Sequence, residues 1–281
     1  MTESRNIVLF LLIFALFLGA TIEISEGSVF LGILLFIIAV ALISRIKVGK
    51  SHIITGSKLR MLSGGLIIAS DITYNILTQS GLGTLDIMTF LLGVSLIAYS
   101  IDNEEINRMG KFGAYMSATF LALFIPFFIV FGKFDINFMH IFDHYFVLLP
   151  SVFIIKAMGI PVEVISTETV RIAGVEEITV IIGGPCSGLY SMFLLIGIMV
   201  AYTQIENIKK AKFYSLLFIC IAVAYLANIM RVTILYLVGF YYGKELMFLF
   251  HVHLGWIVFV VVVAVLLSVL NRIAEATQSS T

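Results

Sequence analysis

The sequence predicts an all-α polytopic membrane protein of about eight transmembrane helices, with an outer interfacial helix and a small outer β-hairpin or meander. Three observations carry that expectation. Hydrophobic residues fill 60% of the 281 positions and charged residues only 12%, whereas soluble domains are about half apolar and roughly a quarter charged. Apolar stretches recur at or near the roughly 20 residues that cross a hydrocarbon core of about 30 Å. The basic residues gather in two loops, the pattern of a chain threaded through a bilayer. The net charge of +0 gives no sign of a nucleic-acid partner. With no internal repeat and no appended soluble domain, residues 1–281 read as a single integral membrane domain.

Taken in order, the apolar stretches predict spans over 7–22, 28–43, 61–78, 84–101, 112–132, 187–205, 213–238 and 250–270. The first lacks a small-x-small cleavage site and is read as a retained span. Arg45, Lys47, Lys50, Lys58 and Arg60 crowd one loop without a neighbouring acid, and Lys209, Lys210 and Lys212 face a single Glu206 in another. Both loops are therefore expected on the cytoplasmic side. Four spans between them return the chain to that side, so a ninth apolar run, 145–159, is not needed as a crossing. With Pro150 and Lys156 inside it, this run is read as an outer interfacial helix. Both termini are then expected in the cytoplasm and the segment 133–185 outside. That segment carries Lys133, Lys156 and Arg171 against Asp135, Asp143, Glu163, Glu168, Glu176 and Glu177. Within it, Val162 and Val164, Val170 and Ile172, then Ile178, Val180 and Ile182 alternate at period two, and Ser166-Thr167-Glu168 and Ala173-Gly174 supply turns, which predicts short strands.

Two cysteines cannot build a disulfide framework, and two free thiols are expected. Cys220 falls deep within a span. Cys186 lies in Gly183-Gly184-Pro185-Cys186-Ser187-Gly188, where two glycines and a proline end the strand pattern and a long apolar helix follows. A helix N-terminus favours a thiolate, the nucleophilic form of cysteine, although a lone membrane cysteine is more often a small packing residue. Arg231 lies 18 residues after Phe213, about 27 Å along a helix and so near the outer interface, with Asn228 three residues earlier on the same face. A snorkelling arginine is the plainer reading. His251 stands where the last span begins, with His253 competing for the same role, and an interfacial histidine bonded to water or lipid is the plainer reading of either. Together these residues converge at one depth. A thiolate can attack a carbonyl, a guanidinium can stabilise the oxyanion, and an imidazole can move protons.

Cys186-Ser187-Gly188, then Asn228-x-x-Arg231, then His251-x-x-x-Gly255, resembles in order and spacing the three-part signature of the exosortase/archaeosortase family. The Gly159-Ile160-Pro161 turn and the strand-like stretch before the cysteine resemble it too, and the likeness is strongest over 145–270. The resemblance implies a membrane-embedded cysteine transpeptidase. Cys186 would be its nucleophile, Arg231 a group stabilising the transition state or thiolate, and His251 the third member, with Ser187, Gly188, Asn228 and His253 in support. It also implies partners: secreted proteins ending in a signature, a hydrophobic helix and a basic cluster, cleaved on the outer face of the cell membrane, with a lipid as proposed acceptor.

No H-E-x-x-H, G-x-S-x-G or P-loop offers another centre, and no cofactor or metal is expected. His140, Asp143 and His144 imitate a metal cluster, but a fourth ligand is not evident. Asp71 and Asn75, four apart on one face of the third span, read as a hydrogen-bonded structural pair. With Asp86 they are also the basis of the competing class, a transporter with a polar path. A noncatalytic membrane assembly protein is the third reading.

Overall fold

The computed structural model describes residues 12–13, 16, 29–43, 57–79, 83–130, 133–134, 138–183, 188–205 and 210–278. The basic residues Arg45, Lys47, Lys50 and Lys209, most of the first expected span, and both Cys186 and Ser187 lie outside the described residues.

Among the described residues the helices are α1 (Val29–Ile43), α2 (Lys58–Thr78), α3 (Thr84–Ala98), α4 (Glu104–Phe124, continued by a π-helical turn, Ile125–Val130), α5 (138–157), α6 (Leu189–Ile205), α7 (Lys210–Tyr242) and α8 (Lys244–Gln278). Their sequence dictates their ends. Asn103 caps α4 by accepting from the backbone N–H groups of Glu105 and Ile106, both at 3.1 Å, with Glu104 and Glu105 at the positive end of the helix dipole. The helices from α2 to α4 pack in chain order, α6 packs on α4, and α7 and α8 follow. Gly197 on α6 lets that helix approach closely, since a β-carbon there would come within 2.7 Å of the Met116 carbonyl on α4. Around this crossing lies the larger apolar core, with Phe112, Met116, Phe120, Phe193, Met199 and Tyr202 buried in it.

By length and composition, three described helical stretches suffice to cross a membrane: His140–Ala157, Phe213–Tyr242 and Lys244–Val265. Eight spans were expected. Most of the first expected span lies outside the described residues, α1, α3 and α6 are apolar over 15, 15 and 17 residues, and α2 and α4 carry charged residues in their first turns. The run expected over 145–159 begins earlier, at Phe138, and contains a π-helical turn, Asp143–Leu148, between two α-helical pieces.

A three-stranded antiparallel sheet follows α5, in the order β1 (Val162–Val164), β2 (Thr169–Ala173), β3 (Glu177–Ile181). The expected meander forms, and its period-two residues pair Val162 with Ile172, Val170 with Val180, and Ile172 with Ile178. The inner face buries Val162, Val170, Ile172, Ile178 and Ile182. Its cluster includes Val147, Val152 and Ile155 of α5 and Val232 and Tyr236 of α7. On the outer face Arg171 reaches Glu177 at 3.0 Å and Glu163 at 3.8 Å, so one side of the sheet is built for water.

The sheet is fixed to the corner between α7 and α8. Gly243 turns that corner at φ +87°, where a side chain would meet Glu176. The Glu176 carboxylate accepts from the Lys244 backbone N–H and caps α8 with a negative charge. Val175 donates to the Phe240 carbonyl at 3.0 Å.

Candidate functional site

At about 1.5 Å per residue, the 33 residues of α7 extend roughly 50 Å, well beyond a hydrocarbon core of about 30 Å. The 35 residues of α8 overrun it likewise. The expected boundaries at 238 and 250 therefore mark where apolar sequence fades, while the helices themselves run on to Tyr242 and from Lys244. His251 accordingly stands two turns inside α8 instead of opening it.

Distances from the α7–α8 corner place the site. His251 is seven residues past Lys244, about 10 Å along α8, and Arg231 is nine residues before Phe240, about 13 Å along α7. β3 advances four residues from Glu177 to Ile181, about 13 Å. It leaves the corner in the same direction, because Ile178 clusters with Leu235, Val238 and Met247, whereas Ile182 clusters with Val232 and Tyr236. Two helices and a strand thus deliver their residues to one level.

At that level the contacts run through glycines. Gly188 precedes the first residue of α6, accepts from the Met192 N–H at 3.0 Å and adopts φ +79°. A β-carbon on it would come within 2.5 Å of Asn228 Cγ and 2.7 Å of Asn228 Nδ2. Asn228 and Arg231, one turn apart on α7, are both buried, at 8% and 9% exposure. A β-carbon on Gly255 of α8 would lie 3.7 Å from the Arg231 Cζ and Nη1 atoms. Asn228, Arg231 and Gly255 line one small cleft with Ser191 of α6. The structure thereby brings together described members of all three sequence motifs: Gly188 of the first, Asn228 and Arg231 of the second, Gly255 of the third.

His251 shares the face of Gly255 one turn earlier and lines a neighbouring cavity of about 290 Å³, between β3, α7 and α8. His253, half-buried, sits about 200° farther round the helix and faces elsewhere. Cys220, the other thiol, is free and 1% exposed among Leu216 and Ala224 in the apolar core, a packing residue eleven positions from Arg231.

The chain as far as Gly183 is held by residues to which the sequence analysis gave no role at this site. Ile182 donates to the Glu168 carbonyl at 2.8 Å. The Glu168 carboxylate bonds His140 Nδ1, and His144 Nδ1 donates to the Thr167 carbonyl at 2.8 Å. Beside Gly183 stand Asp143 Oδ2 and Glu168 Oε1, each 3.9 Å from where a side chain would begin. Asp143 is 1% exposed. An acid buried in an apolar helix was the available signal. The histidines once weighed as metal ligands are thus partners of the β1–β2 turn.

Asp71, Asn75 and Asp86 lie on the far side of the helix array. Asn75 donates to Asp86 Oδ1 at 3.2 Å and to the Asp71 carbonyl at 3.0 Å, and Asp86 accepts from the Gly83 N–H at 2.7 Å, so the group fastens α2 to α3. It borders a cavity of about 480 Å³ that is otherwise lined by Ile72, Ile76, Ile87 and Phe90.

A family model described as transmembrane exosortase matches residues 3–268 of the chain. No curated protein and no solved structure matches it.

Proposed function

The chain belongs to the transmembrane exosortase family, and from that premise we propose that this membrane protein is a sorting protease and transpeptidase that cleaves C-terminal tails from secreted proteins on the outer face. In this reading both termini are cytoplasmic and the product is transferred to a lipid acceptor. The observation that carries it is the meeting of the three motifs: Gly188 against Asn228, and Arg231 against Gly255. A transport path explains no such meeting, and the Asp71–Asn75–Asp86 group is already engaged in holding two helices together.

Cys186 is the proposed nucleophile. Two peptide units separate it in sequence from Gly188, whose own backbone meets Asn228, and covalent geometry limits the span between the two α-carbons to about 7 Å. Its thiolate attacks the scissile carbonyl carbon, forming a C–S bond and a tetrahedral oxyanion. The Arg231 guanidinium stabilises that charge, its worth raised by burial. Collapse breaks the C–N bond, and the departing amine of the tail takes a proton from the His251 imidazolium. The acyl group is left as a thioester on Cys186. A lipid hydroxyl or amine then attacks the thioester carbonyl, giving its proton to His251 and restoring the thiolate. Asn228 supports the site by fixing Gly188, and Ser187 and Gly188 shape the approach to α6. The sheet roofs the site: with a charged face and two edges it is costly within hydrocarbon, which favours the interface for it.

The test is the fate of the sulfur. Cys186→Ser in an intact membrane should leave full-length tailed substrate to accumulate, and mass spectrometry of the wild-type protein should trap the acyl adduct on Cys186. Normal processing by Cys186→Ser removes the thiol mechanism.

A further inference from the structure

The cavity beside His251 has an unusual wall. Hydrogen bonds of an antiparallel pair alternate along the strand, and Ile182 donating to Glu168 puts Ile182, Val180 and Ile178 in the register bonded to β2. Thr179 and Ile181 therefore direct their N–H and C=O groups to the opposite side. β3 is an edge strand among the described residues, and Thr179 to Ile182 line the cavity. Its floor is Val232, Leu235 and Tyr236 of α7, and its far wall Met247, Phe248 and His251 of α8.

We propose that this groove binds the substrate's signature segment as an extended peptide, added to the sheet as a fourth strand along Thr179 and Ile181. The inference rests on the sorting-peptidase reading and names how that site takes its substrate. Three features select a peptide backbone as the occupant. Strand-edge groups recur every second residue, about 6.6 Å apart, the spacing at which another extended chain offers its own donors and acceptors. The flanks are apolar and open, with Ile181 at 69% and Phe248 at 53% exposure, and neither Pro nor Lys blunts the edge as it would a strand meant to stay single. The groove is also continuous with the site: β3 passes directly to Gly183 and the Cys186 segment, and His251 is part of the wall. A lipid chain would cover the apolar walls and leave the Thr179 and Ile181 backbone groups unmet.

The experiment uses the full-length protein in membranes, co-expressed with a secreted protein that carries a signature, apolar helix and basic tail. Thr179→Pro removes the outward N–H without touching a bond to β2, and Thr179→Val keeps it. Proline is expected to slow processing at least tenfold relative to valine, at equal membrane abundance. A photo-crosslinking phenylalanine analogue at position 248, in a Cys186→Ala background, should trap the signature segment. Should Thr179→Pro fail to accumulate, the crosslink decides. Crosslinks to lipid alone, or equal rates for the two Thr179 variants, overturn the groove; if Cys186→Ser still blocks processing in that case, the enzyme reading survives. Normal processing by Cys186→Ser overturns both.

Discussion

Gly188 has no room for a β-carbon because Asn228 occupies the place where one would go, 2.5 Å from its Cγ. The backbone there is left-handed at φ +79°, which adds about 1–2 kcal/mol for any residue with a side chain. Gly188→Ala should therefore lose 2 kcal/mol or more, about 4–8 °C in a thermal unfolding midpoint, together with processing. An unchanged midpoint would show that the loop moves freely away from Asn228.

Arg231 is asked for geometry as well as charge. Arg231→Lys keeps the positive charge but loses the planar fork, and losing one oxyanion donor typically costs about 10²–10³ in turnover. A fall of that order in tail processing, with normal membrane insertion, is the expected result. A rate near wild type would make Arg231 a membrane anchor.

The two histidines separate by face. His251→Ala should reduce processing by about 10²–10⁴, the usual contribution of a positioned proton donor. The loss in His253→Ala should be at least tenfold smaller, because that ring faces away from the groove. The reverse ranking would transfer the third role to His253.

At the remote end, Asp86→Ala removes the acceptor of both the Gly83 N–H and the Asn75 amide. A stability loss of about 1–2 kcal/mol is expected, with the processing rate per folded molecule retained. Lost solute flux at full processing would instead favour a transport function for that cavity.

Much of this arrangement was readable in the chain. The strands were visible because valine and isoleucine alternate, and the ends of α1 at Ile43, α2 at Thr78 and α6 at Ile205 fall where the apolar runs stop. Hydropathy reports the edge of the bilayer and not the end of a helix, which is why the corner at Gly243 was missed and His251 was placed too near a terminus. The placing of Asp143 and Glu168 beside Gly183 has no local pattern at all. It exists only once α5 and the β1–β2 turn have folded against each other, 25 residues apart in sequence.

The stapling of the sheet to Phe240 and Lys244 sets an order of assembly. The strands emerge from the ribosome some 70 residues before their anchor, and the last helix contributes both His251 and the glycine on which Arg231 rests. A nascent chain halted before α8 holds Arg231 without Gly255 beside it and the sheet without the Lys244 N–H that Glu176 caps, so the proposed site assembles only after α8 has been made.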